Sequence, residues 1–160
     1  MSVRIKIGNL TFIFRPGVSA SQYDEWQFYK KQFQNGCAKS NKAVDIVAYE
    51  PKMRWLIEVK DYRKAATPVI KEFWELGEQV AQKCRDTLAG LVAASVGASE
   101  PGEKTFATDF IRLKTRIRVV LHLELPPPHG LWNPFKYRAD LQSSLSSLLK
   151  AIDSGPLVVY

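Results

Sequence analysis

Asp45, Glu58 and Lys60 are the residues of this chain whose types and spacing most directly suggest chemistry. They fall in Ala43-Val-Asp-Ile-Val-Ala-Tyr49 and Arg54-Trp-Leu-Ile-Glu-Val-Lys-Asp-Tyr-Arg63, two apolar runs separated by Glu-Pro-Lys-Met. Each run has the length of a strand, and the proline-containing tetrapeptide between them reads as a turn. Side chains alternate along a strand, so Glu58 and Lys60 share a face, roughly 6.5 Å apart along the backbone, while Ile57 and Val59 enter the opposite core. Pairing the two runs as a hairpin brings Asp45 near Glu58. Two carboxylates and an ammonium on one face suit phosphodiester hydrolysis. Hard oxygens hold Mg²⁺ or Mn²⁺, the metal takes up charge on the phosphate and activates a bound water, and the lysine orients or deprotonates that water. The plainer alternative is a strand-end Asp beside an exposed Glu/Lys pair worth under about 1 kcal/mol. Against it, the run from Trp55 to Val59 is apolar on both faces, where an unpaired Glu is costly to desolvate.

These residues resemble the PD-(D/E)xK, or restriction-endonuclease-like, nucleases. Val44-Asp45 stands where that family often has Pro-Asp, and Glu58-Val59-Lys60 fits its (D/E)xK element. The expected order also follows the family core: a helix over 19–34, the Asp45 strand, the Glu58 strand, a long helix over 69–95 and a strand over 116–125. Only residues 35–42 separate the first helix from the Asp45 strand, so the family's usual first strand is expected to be very short or absent. The resemblance implies an α/β fold with a mixed central sheet flanked by helices, here with an N-terminal β-hairpin. It implies a metal-dependent nuclease in which Asp45 and Glu58 hold the metal, the backbone carbonyl of Val59 adds a ligand, and Lys60 acts on the water. A carboxylate from the first helix often joins the metal shell. Trp26, Tyr29 and Phe33 set that helix's apolar stripe, and at 100° per residue Glu25 borders it while Asp24 points nearly opposite, which assigns the role to Glu25. A surface Glu paired with a nearby lysine is the alternative. On the long helix Phe73, Gly77, Val80, Cys84, Leu88 and Leu91 form the buried face, with Gln79, Lys83 and Asp86 on its flank. Gln79 and Lys83 resemble polar residues that many members place near the scissile phosphate, although a solvated stripe explains them as well.

Lys52, Arg54, Tyr62, Arg63 and Lys64 are expected to form a basic rim for nucleic acid, and Arg116 and Arg118 could add to it. The formal net charge of +7 agrees with a polyanionic partner. DNA is favoured over RNA only because most of the resembling families act on DNA. Those families often work as twofold dimers, so a homodimer through the hairpin edge or last helix is compatible. So is a small nuclease that needs a separate targeting or immunity protein. The rival to catalysis is a non-catalytic nucleic-acid or protein-binding module on the same fold.

The elements that must position these residues are read as one domain over 1–160. Residues 3–14 form a hairpin about Gly8-Asn9 that extends one sheet edge. Ser19 or Ser21 caps the first helix. Residues 96–105, with Gly97, Pro101 and Gly102, read as a flexible joint. Residues 134–152 carry leucines at helical spacing, and 157–160 form a last strand. Cys37 and Cys84 are too few and too far apart for a zinc site or disulfide framework, and His122 reads as a sheet-face residue. No run of 18 apolar residues and no secretory leader is read, so a cytoplasmic setting without a membrane partner is expected.

Overall fold

Val3–Ile7 (β1) and Leu10–Phe14 (β2) pair antiparallel around Gly8-Asn9, as their β-branched and aromatic composition predicts. Gly8 lies at φ +56°, left-handed backbone that suits glycine. The computed structural model describes residues 1–63 and 70–160. The hairpin does not extend a sheet edge. It forms its own two-stranded sheet and lays Val3, Ile5, Ile7, Leu10, Phe12 and Phe14 over Ile46, Ile57 and Val59. One face of the hairpin is apolar, and laying it on a sheet buries more of that surface than side-by-side pairing would.

The central sheet has the order β3-β4-β5-β6-β7, from Ser19–Gln22 (β3), Ile46–Glu50 (β4), Met53–Asp61 (β5), Ile117–Glu124 (β6) and Leu157–Val159 (β7). β3, β4 and β5 run antiparallel, and β5, β6 and β7 run parallel, so the sheet is mixed as expected. Three helices, Phe73–Gly97 (α1), Pro101–Arg112 (α2) and Pro134–Leu148 (α3), share a core with the sheet. Leu76, Val80, Leu91, Phe110, Leu141 and Leu145 from the helices meet Val47, Leu56, Val119, Leu121 and Leu123 from the strands. Helices therefore cover one face of the sheet and the hairpin the other. Among the described residues no helix is long and apolar enough to cross a membrane.

Two elements depart from the sequence expectation. Residues 19–34 are not one helix. Ser19 to Gln22 pair with Tyr49 to Ile46, the Tyr23 N–H donates to the Asp45 carbonyl at 2.9 Å, and only then does the chain wind into a 3₁₀ turn at Tyr23–Glu25. Trp26 has extended backbone (ψ 138°), which stops the turn before a wide helical turn forms at Tyr29–Phe33. A strand, β3, thus precedes the Asp45 strand where the sequence reading placed the start of a helix. Residues 96–105 are not a loose joint either. Pro101 opens α2, where a missing N–H costs nothing, and Ala107 and Phe110 bury its inner face. α3 is capped by Asn133, whose side chain accepts from the Phe135 and Lys136 N–H groups, and it ends at Leu148 rather than 152.

Candidate functional site

The β4/β5 ladder ends with Ile46 opposite Ile57, so Asp45 and Glu58 come next to one another at the point where the strands part. Asp45 Oδ2 accepts the Val59 N–H at 2.6 Å, which fixes that carboxylate against β5. Glu58 points to the helix side and its side chain is fully buried. Its Oε1 receives two ammonium groups, Lys60 Nζ at 2.8 Å and Lys83 Nζ at 2.6 Å, while its Oε2 is buried with no partner among the described residues. The expected trio is therefore assembled, and Lys83 of α1 joins it. Val59 contributes its N–H to Asp45 and its side chain to the hairpin-side core.

Asp24 completes the cluster. Its Oδ1 is buried without a partner among the described residues, and its carboxyl is pushed above the usual range by burial and then by the charge of Asp45, with Gln22 and Lys83 pulling the other way. Glu25, the acid assigned from helical phase, is exposed and pairs with Lys30 at the surface. The phase argument fails because the segment is a 3₁₀ turn after a strand. The pairing of Gln22 with Ile46 carries the next residues alongside Asp45, a signal legible only once β3 is known.

Burial, then Asp45, raises the Glu58 carboxyl against the pull of Lys83 and Lys60. Burial works against the Lys60 ammonium, but Glu58 outweighs it and the net direction is up. Tyr62, beside Lys60, is raised chiefly by burial. Two side chains of α1 hold the lead-in to β4: Asp86 Oδ2 accepts the Lys42 N–H at 2.9 Å and Thr87 Oγ1 accepts the Val44 N–H at 3.0 Å. Thr87 was not singled out in the sequence. Its only trace there is a hydroxyl on an otherwise apolar helix face.

The rim is not as expected. Lys52 sits in the β4/β5 turn, six residues before Glu58, hence roughly 20 Å away along an extended strand. Arg54 turns inward, bonding the Thr115 and Phe110 carbonyls and stacking 5.4 Å from the Phe110 ring centre. Arg63 folds back on Asp61 at 2.6 Å. Lys64 lies outside the described residues. Gln79 is half-buried one turn before Lys83 and makes no hydrogen bond to the cluster. Arg118 is drawn to Asp153 and Arg116 to Ser154. Among the described residues, Lys39 and Lys42 are exposed without an ion pair in the segment leading into β4. His122 lies on the hairpin face, edge-on to Phe12 and bonded to Glu124.

No family model and no solved structure matches this chain. Among curated proteins it is 34% identical, over 171 aligned positions, to a cysteine–tRNA ligase of Neisseria meningitidis. The alignment takes in 88% of this chain but 23% of the ligase, so the chain spans less than a quarter of that protein. This finding overturns the reading as a metal-dependent nuclease, and with it the labels hydrolase and endonuclease: the relative is a ligase. The geometry agrees, since among the described residues no three His, Cys, Asp or Glu side chains form a group able to hold a metal.

Proposed function

We propose that this chain is a tRNA-binding module related to one segment of a cysteine–tRNA ligase. The observation that carries the reading is the likeness to the ligase over 88% of the chain. The net charge of +7 supports it, because a cationic module raises the local concentration of a phosphate backbone. RNA thereby replaces DNA as the favoured ligand. The docking face is the shore beside β4 formed by Lys39 and Lys42, exposed in the segment leading into that strand.

Competition binding tests the main reading: labelled tRNA against unlabelled tRNA, duplex DNA and single-stranded DNA, each with Mg²⁺ and with EDTA. Displacement by tRNA at about tenfold lower concentration than by either DNA supports it. Equal displacement by all three, or no binding at low salt, overturns it.

A further inference from the structure

Most carboxylates of this chain are already engaged. Glu25, Glu50, Glu58, Asp61, Asp86 and Asp153 form ion pairs, Glu124 meets His122, and Asp45, Glu103 and Asp109 accept hydrogen bonds. Of the rest, Glu72, Glu75, Glu78 and Asp140 gather where α1 and α3 lie side by side, and none of the four has a hydrogen bond or ion pair among the described residues. A chain with net charge +7 therefore presents one locally acidic face.

That face is also grooved and apolar. Glu78 and Asp140 line an open groove of about 490 Å³ with Phe73, Trp74, Ser144 and Leu148. Trp74 is 50% exposed and Leu148 45% exposed, large apolar side chains that the described residues leave open. The groove has a floor because the two helices touch closely at Gly77, where an added Cβ would stand 2.7 Å from Ser144 Oγ. Through Glu78 and Leu148 it continues into a second hollow of about 440 Å³ bordered by Ala81, Arg85 and Ile152. From Trp74 to Arg85 the trough is roughly 17 Å long at 1.5 Å per residue, room for about three turns of a guest helix.

We infer that the α1/α3 groove docks a basic amphipathic helix of a partner protein, its apolar stripe on Trp74 and Leu148 and its lysines or arginines against Glu78 and Asp140. Charge selects this occupant. RNA and anionic lipid surfaces are repelled by four unpaired carboxylates, whereas a cationic helix gains attraction along both walls. A helix fits because a trough between two helices receives residues spaced i, i+3, i+4 and i+7.

The test uses the whole chain and a fluorescein-labelled helical peptide of about 14 residues, leucines at i, i+3, i+7 and i+10 and lysines on the flanks, with a scrambled control of identical composition. Anisotropy should show saturable binding of the ordered peptide and at least tenfold weaker binding of the scrambled one. Trp74→Ala and the double variant Glu78→Gln/Asp140→Asn should each weaken binding about tenfold or more, with melting temperatures unchanged because these side chains are at the surface. Equal binding of ordered and scrambled peptides, binding indifferent to both variants, or no saturation by about 1 mM would overturn the inference. So would sedimentation velocity showing that the chain self-associates through this face and that Trp74→Ala disperses it, which would make the occupant a second copy.

Discussion

Asp24 and Glu25 are neighbours with opposite circumstances, and the difference has measurable consequences. Asp24 is half-buried, with one oxygen unpartnered and its carboxyl held above the usual range by burial and by Asp45; Glu25 is exposed and paired with Lys30. A carboxyl whose folded-state pKa is raised stabilises the fold fully below its unfolded value and loses that contribution as pH rises through the folded value. Asp24→Asn removes the loss. It should leave the melting temperature unchanged near pH 3.5, then raise it progressively as pH climbs past the ordinary carboxylate range, by about 2–4 °C for each kcal/mol recovered. Glu25→Gln should stay within about 0.5 kcal/mol of wild type at every pH, as exposed pairs do. Melting curves of both variants across pH 3.5 to 8 decide this; a larger gain from Glu25→Gln would show that the Asp24 carboxylate is not the strained one. The wider cluster follows the same logic. Glu58 tolerates full burial because two ammonium groups converge on one of its oxygens, and removing either leaves charge uncompensated in a place water does not reach.

At the scale of elements, the clearest consequence is the close approach of α1 to the turn after β3. A Cβ on Gly90 would fall 2.1 Å from the Tyr23 hydroxyl and 3.2 Å from the Phe33 ring, and Tyr23 is fully buried with no room to retreat. Gly90→Ala should therefore destabilise by about 1–3 kcal/mol in urea unfolding, the usual range for overpacking. Gly102→Ala in α2 meets nothing within 4 Å and should be neutral or stabilising by about 0.4–1 kcal/mol. If both variants behave alike, the Gly90 contact is not a constraint. The same region marks the limit of what the sequence discloses. β4, β5, β6, α1 and α3 are legible because their apolar residues keep strand or helix period, and Glu58 with Lys60 is legible because strand alternation fixes their shared face. β3 is not, since Ser-Ala-Ser-Gln has no apolar alternation and owes its extended form to the β4 edge it pairs with. Losing β3 displaced Asp24 from the site and put Glu25 in its place. α2 was obscured in a related way, because Pro101 and Gly102 read as breakers when proline marks the first turn of a helix. Lys83 was visible as a flank residue but not as a partner of Glu58, a contact that depends on how α1 crosses the sheet.

Over the whole molecule, charge is segregated, and that segregation dictates how RNA binding should respond to salt. Unpaired carboxylates collect on the α1/α3 face, so the remaining surface is more cationic than the net +7 alone suggests. Not every lysine near the cluster can release counterions from a phosphate backbone, however. Lys60 and Lys83 are already neutralised by Glu58, and Lys30 is held by Glu25. Lys39 and Lys42 are exposed and have no ion pair among the described residues, so they should form phosphate contacts at the smallest electrostatic cost. Each phosphate contact contributes about 0.7–0.9 to the slope of log K against log salt. Lys39→Ala and Lys42→Ala should each flatten the slope for tRNA by that amount, while Lys30→Ala leaves it unchanged. Lys83→Ala should change the slope little but lower thermal stability, because its main partner is a buried carboxylate rather than the ligand. Anisotropy titrations from 50 to 300 mM KCl would give the four slopes. A drop in slope from Lys30→Ala equal to that from Lys42→Ala would mean that RNA is drawn to the molecule's diffuse field and not to the shore beside β4.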